Sequence, residues 1–261
     1  MEYKTILLER EGNVGILILN RPENLNAMTY EMAWEFRHAI DEISSSPDIR
    51  VLVITGAGKG FCSGFDIGGF VPKGLQGDDR RSTALKFYKS FLSIQDLEIP
   101  TIAMLNGHAV GAGIAFPLAC DIRIASENAR FGFTFIRIAL HPGMGTTYLL
   151  PRIVGTAKAL ELLWTGEMIT ATQAAEIGLV DRVVPLNELR STTMEIANRL
   201  AKGPSIPMRM IKKAVYSGLN SDMETILQFE AMAQDICMGT EDFKEGISAF
   251  KEKREPVFKG R

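Results

Sequence analysis

Gly111-Ala112-Gly113 is the stretch of this 261-residue chain whose residue types most directly suggest chemistry. Small residues at the first turn of a helix leave backbone N–H groups accessible at the positive end of the helix dipole. Two such donors aimed at one point stabilise an oxyanion formed from a thioester carbonyl, by about 3 to 4 kcal/mol per donor. Close packing of a helix on a sheet selects the same small residues, so both readings stand at this point. A second glycine loop, Gly56-Ala57-Gly58-Lys59-Gly60, follows a strand-like run and invites comparison with phosphate-binding loops. The dinucleotide fingerprint fails because Phe61 stands where its third glycine belongs, and the P-loop fails because Lys59 precedes glycine rather than serine or threonine. Among side chains, His141 in Leu140-His141-Pro142-Gly143 offers an imidazole suited to proton transfer, or alternatively a group that orients the loop before Gly145. Asp66 offers a carboxylate that either takes part in catalysis or fixes a turn. Arg137 suits a carboxylate partner, or a surface contact.

These groups need a scaffold. Tyr3–Glu9 and Val14–Asn20 flank the Glu11-Gly12-Asn13 turn signal and read as a hairpin. Thr29 offers a helix N-cap, Met32, Phe36, Ala39, Ile40 and Ile43 recur at helical spacing, and Ser44-Ser45-Ser46-Pro47 stops the helix. Arg50–Ile54 reads as a buried strand opening into a glycine-rich loop, Gly56–Gly69. Residues 70–81 read as a mobile surface loop and Ser82–Leu97 as a helix. The apolar segment Ile99–Cys120 is long enough to cross a bilayer, for which about 20 apolar residues suffice. Pro100, Asn106, Gly107, His108 and Pro117 argue instead for a strand (Thr101–Leu105), a turn and a short helix from Gly111. Strands follow at Asp121–Ala125 and Arg130–Phe133, so helices and strands alternate as in an α/β sheet with right-handed crossovers. Beyond Gly145 the pattern is helical, with Val180–Val184 the one expected strand. Helices are expected at Thr156–Trp164, Ala171–Ile177, Leu186–Ala201, Pro207–Ser217, Asp222–Cys237 and Glu241–Lys253.

Composition narrows the function. A net charge of −2 without a basic stripe argues against nucleic-acid binding. Three widely spaced cysteines, Cys62, Cys120 and Cys237, support neither a disulfide framework nor a metal or redox motif, and fit a reducing, cytoplasmic setting. The alternating, acid-bearing N-terminus is unlike a signal peptide. No membrane association, metal or bound cofactor is expected.

Several motifs in order resemble the enoyl-CoA hydratase/isomerase, or crotonase, family. They are Leu19-Asn20-Arg21-Pro22 with Leu25-Asn26-Ala27, then Phe61-Cys62-Ser63-Gly64-Phe65-Asp66-Ile67, and Asn106-Gly107 with Gly111-Ala112-Gly113 and Cys120-Asp121. Pro142-Gly143 with Gly145, Leu150-Pro151-Arg152 and Ala249-Phe250-Lys251-Glu252-Lys253-Arg254 complete the set. The resemblance implies an α/β fold, a crotonase-like spiral of ββα turns over residues 1–195, with a C-terminal helical trimerisation region over 196–261. It implies a homotrimer or dimer of trimers acting on an acyl-CoA, with the CoA thioester as substrate rather than as a cofactor, as in fatty acid metabolism. By the same resemblance Phe65 and Ala112 match the backbone oxyanion-hole donors. Leu25, Ala27, Ser63, Gly64 and Ile67 match the CoA groove, with Asp66, Gly111 and Thr134 as further substrate-binding candidates, and Phe250 and Lys253 match C-terminal positions that help close the CoA site. Phe133, Phe135, Phe116 and Ile138 suggest an apolar acyl pocket, although aromatic residues there serve a core equally well. Arg21, Lys59, Lys253 and Lys259 are candidates for the CoA phosphates.

The pattern then breaks. The family's two catalytic glutamates fall at Ala115 and Phe135, and a third position, an aspartate in some isomerases, falls at Gly143. Hydration needs groups that move protons at the α and β carbons, and none of these three can. The expectation is therefore a thioester-enolate enzyme, a lyase or isomerase, working by isomerisation, decarboxylation or an atypical hydration or hydrolysis. The alternative is a catalytically silent acyl-CoA-binding protein. Lys86 and Tyr88 lie on the helix that flanks the acyl pocket in relatives, with their orientation open.

Overall fold

A computed structural model describes residues 3–66 and 77–261. The apolar runs at Val51 and Thr101 become strands in which every residue is buried, as expected for strands covered on both faces. With their neighbours they form a six-stranded sheet. Its order is β1 (Ile6–Glu11), β2 (Val14–Leu19), β3 (Val51–Gly56), β4 (Thr101–Leu105), β6 (Ile122–Ser126) and β9 (Arg182–Val184). Only the β1–β2 hairpin is antiparallel, in the register Glu11↔Val14; the other pairings are parallel, with Leu19↔Gly56 and Val53↔Ile102 aligned. A second sheet joins β5 (Ala109–Val110), β7 (Arg130–Gly132) and β8 (Met168–Thr170). Isolated bridges Cys62↔Ala109 and Met28↔Phe65 extend this layer. A main strand, a short second-layer segment and a helical segment thus recur, and the chain advances as a spiral of ββα turns.

The first helix, α1 (Tyr30–Ser45), starts where Thr29 accepts a hydrogen bond from the Met32 N–H. It buries Met32, Phe36, Ala39, Ile40 and Ile43, the residues its periodicity selects. Rings from Phe36, Phe61, Phe91 and Phe116 meet beneath it at 5.0–5.8 Å between centroids, so Phe116 belongs to the core rather than to an acyl pocket. The next described helix, α2 (Gly77–Leu92), begins earlier than the sequence suggests and gives way to a 3₁₀ turn at Ser93–Asp96. Residues 77–81 are therefore helical, with Asp78 and Asp79 placed favourably at the positive end of the helix dipole. Residues 67–76, which hold the rest of both expected loops, lie outside the described residues. Segment Ile99–Cys120 contains β4, β5, a four-residue helix α3 (Ala112–Ala115) and a 3₁₀ turn at Phe116–Ala119. Among the described residues no helix is long and apolar enough to cross a membrane.

Two differences appear toward the C-terminus. Strand β8 was not expected, because three residues are too few to show a period; it pairs antiparallel with β7 just before the Thr170–Gln173 capping box. The helix Leu186–Ala201 runs unbroken through residue 195, and its buried Leu189, Met194, Ile196, Ala197 and Ala201 pack on one face of the main sheet. Sheet packing therefore continues to Ala201. Helices Ser205–Gly218 and Met223–Met238 follow, neither with a fully buried residue, and then Glu241–Glu252.

Candidate active site

Two consecutive turns of the spiral bring their second-layer segments together at Cys62–Asp66 and Ala109–Ala112. Cys62 accepts from the Val110 N–H at 3.0 Å and donates to the His108 carbonyl at 3.2 Å, so its main chain faces β5. Two residues on, the chain turns its other edge: the Gly64 carbonyl accepts from Met28 N and Asp66 N donates to the Met28 carbonyl. In such a bridge the residue between those two groups directs its own N–H the opposite way. The Phe65 N–H is therefore directed to the side of Val110–Ala112. The Ala112 N–H opens helix α3 and has no intramolecular acceptor among the described residues.

Glycines permit this approach. Gly64 has φ +97°, and a Cβ there would lie 2.6 Å from the Val110 carbonyl oxygen and 3.5 Å from the Ala112 nitrogen. A Cβ on Gly113 would collide with the Cys62 carbonyl and come 2.9 Å from the Gly64 nitrogen. Any side chain at either position would force the two donor-bearing segments apart. The next turn buttresses them: Gly111 donates to the Gly132 carbonyl at 2.7 Å, and Thr134 Oγ1 would touch a Cβ on Gly111 at 3.7 Å.

Residues expected to line a CoA groove lie on two adjoining segments, 21–28 and 62–66. Leu25 takes a left-handed conformation, its carbonyl accepts from Ser63 N at 2.9 Å, and its side chain is 53% exposed. Ser63 is exposed beside Asn24, to whose carbonyl its hydroxyl donates at 3.4 Å. Arg21 donates to the Ala27 carbonyl at 2.5 Å and pairs with Asp66 at 3.3 Å. That pair ties the 21–28 loop to the 62–66 segment, so Asp66 and Arg21 are engaged with each other. Sequence reasoning could not find this pairing, which joins residues far apart in the chain. Ile67 lies outside the described residues.

The remaining candidates are placed as follows. Phe135 is buried on a 3₁₀ segment, Thr134–Ile138, whereas Ile138 is 59% exposed. His141 is exposed, with Nδ1 at 2.7 Å from the Pro142 carbonyl, so it carries its proton on Nδ1 when neutral. Ala139 and Met144, on either side of it, both adopt positive φ, and the segment between them is a tightly turned loop. Phe250 is 84% exposed on the C-terminal helix and Lys253 caps that helix. No hydrogen bond or ion pair joins these two to the groove loops among the described residues.

Titration behaviour separates the side chains further. The Cys62 thiol, wholly buried, is pushed up to about 12 by burial, against a smaller opposing effect of the Gly64 main chain, and is not a nucleophile at neutral pH. Burial raises the Tyr88 hydroxyl above its ordinary value; burial and then the neighbouring Tyr88 raise Tyr30. Among the described residues no group of three or more His, Cys, Asp or Glu side chains gathers as a metal site.

A largely parallel sheet whose chain advances as a spiral brings two glycine-bearing main-chain segments together in its second layer. The chain belongs to the enoyl-CoA hydratase/isomerase family, whose model matches residues 9–261. It is 38% identical to a short-chain-enoyl-CoA hydratase of Clostridium acetobutylicum over 97% of each chain. It is 36% identical to the 1,2-epoxyphenylacetyl-CoA isomerase of Escherichia coli over the full length of both. The crystal structure of an enoyl-CoA hydratase from Bacillus anthracis, 36% identical, superposes with a TM-score of 0.93 over 99% of this chain and 100% of that one. The crotonase-like fold is thereby established, together with acyl-CoA processing as the family's activity.

Proposed function

We propose that this chain stabilises a thioester enolate between the Phe65 and Ala112 N–H groups and generates it by releasing CO₂ from a carboxylated acyl-CoA, rather than by two-glutamate hydration. The observation that carries this reading is the residue type at the three positions where the family resemblance expects carboxylates. Ala115 is fully buried on helix α3, Phe135 is buried on the Thr134–Ile138 segment, and Gly143 has no side chain. The adjacent carboxylate, Asp66, is already paired with Arg21. Adding water to an enoyl thioester requires a group that activates the water and a group that protonates the α carbon. Loss of CO₂ leaves its electron pair on the α carbon without any base, so the oxyanion hole becomes the main requirement. The names of the relatives, hydratases and an isomerase on CoA thioesters, support the substrate class.

The exposed faces of helices Ser205–Gly218 and Met223–Met238 support a homotrimer or dimer of trimers, because Ile211, Val215, Leu219 and Met223 are each more than half exposed in the single chain. Phe250 and Lys253 would reach a CoA site only from such an assembly.

The test is incubation with malonyl-, 2-methylmalonyl-, glutaconyl-, crotonyl- and acetoacetyl-CoA, followed by mass spectrometry of the thioesters. Loss of CO₂ from a carboxylated member is the expected result. Hydration of crotonyl-CoA as the sole reaction overturns the reading, as does tight binding with no thioester changed, which is the behaviour of a silent acyl-CoA-binding protein.

A further inference from the structure

We infer that the Tyr88 hydroxyl is the proton donor of this site, delivering its proton to the α carbon of the enolate. The inference rests on the function proposed above and names the group that completes it. Tyr88 lies on helix α2 beside Phe87, whose ring is buried and packs 4.7 Å from the Phe65 ring, next to the main-chain donor of the same residue. Tyr30, from the start of α1, closes the same aromatic wall at 6.2 Å from Phe65 and 5.5 Å from Phe87. The phenol of Tyr88 reaches across to the loop after Phe135. Its oxygen lies 2.7 Å, and its ring carbon Cζ 2.9 Å, from where a side chain on Gly143 would begin. The hydroxyl therefore fills the space that glycine leaves open.

The hydroxyl makes no hydrogen bond among the described residues, although its side chain is partly buried. Its oxygen is not sealed from solvent, so a ligand or water can reach it and accept its proton. Other proton carriers nearby are less suited: Asp66 is paired with Arg21, the Cys62 thiol is sealed in the core, and His141 is exposed with Nδ1 on Pro142. Because burial raises Tyr88 above the ordinary tyrosine value, the phenol stays protonated at neutral pH. It is thus an acid and not a base, which matches a reaction whose first step needs no base. The step balances. Cleavage of the bond to CO₂ leaves an electron pair in the enolate, the α carbon takes the Tyr88 proton, and the phenolate regains a proton from solvent.

Tyr88→Phe keeps the ring against Gly143 and removes only the hydroxyl, so it is expected to melt with the wild type. With the best carboxylated thioester of the panel, kcat is expected to fall about 10²-fold or more, the usual contribution of a positioned acid, with KM changed less than about threefold. With 2-methylmalonyl-CoA in D₂O, the wild type is expected to place deuterium on one face of the α carbon and the variant on both, since bulk water then supplies the proton. A Tyr88→Phe enzyme with wild-type kcat and unchanged stereochemistry overturns the inference and leaves the proposed function standing. A wild type that decarboxylates nothing overturns both.

Discussion

The site-bearing body and the C-terminal helices are held together in different ways. In the body, strands β3 and β4 are buried at every position and six phenylalanine rings, Phe36, Phe61, Phe65, Phe87, Phe91 and Phe116, pack in a chain from the core toward the candidate site. Helices Ser205–Gly218 and Met223–Met238 contain no fully buried residue. Clefts of 620 and 560 Å³ separate the first of them from the body, bridged by ion pairs of Lys212 with Asp121 at 2.8 Å and Arg209 with Glu98 at 3.1 Å. The contrast teaches that one part of the chain carries its own core, whereas the other exposes an apolar surface that a single copy does not cover. The candidate site sits in the self-sufficient part, whereas Phe250 and Lys253 sit in the other.

Substitutions can break or sharpen that contrast. The largest effect is expected from Gly113→Val, which drives a side chain into the Cys62 carbonyl and separates the two donor segments. Losing one oxyanion donor costs about 10² to 10³ in kcat, so steady-state kinetics should show at least that loss. Smaller in consequence is a matched pair of variants. Phe116→Ala, at the centre of the aromatic cluster, should lower stability by about 3 to 5 kcal/mol in denaturant unfolding. Ile211→Asp with Val215→Asp on the exposed helix should leave the body folded by circular dichroism while sedimentation shows a shift to the mass of a single chain.

Glu35 offers a test within the body. Burial alone would raise its carboxyl, but the Thr5 hydroxyl and the N–H groups of Lys4, Thr5 and Ile6 outweigh it and hold the group below its ordinary value. A depressed carboxyl adds stability that is present above the unfolded value of about 4.3 and is lost as pH falls through the folded value. Glu35→Gln should therefore destabilise by about 1 to 3 kcal/mol at pH 7, and the gap between wild type and variant should narrow below pH 4. The smallest effect is expected at the exposed Arg10–Asp48 pair, 2.8 Å apart, where removing either partner should cost less than about 1 kcal/mol.

Much of the body was legible because its signals are local. Thr29 marked the first helix, and the apolar runs at Val51 and Thr101 marked the central strands. The two glycine-bearing segments were found from residue type and, for Phe65, from family resemblance. The start of helix α2 is hidden because Asp78-Asp79-Arg80-Arg81 carries no apolar period, and β8 because it spans only three residues. The Arg21–Asp66 pair and the approach of Tyr88 to Gly143 were out of reach for another reason. Both join residues that only the spiral brings together, and helical periodicity does not say which loop a face will meet.

The central claim, enolate chemistry without a water-activating carboxylate pair, is tested most directly by running the thioester panel in H₂¹⁸O and weighing the products. The account expects products that have lost CO₂ and carry no ¹⁸O on the acyl chain. Incorporation of ¹⁸O at the β carbon of crotonyl-CoA, without loss of CO₂ from any carboxylated thioester, would contradict it.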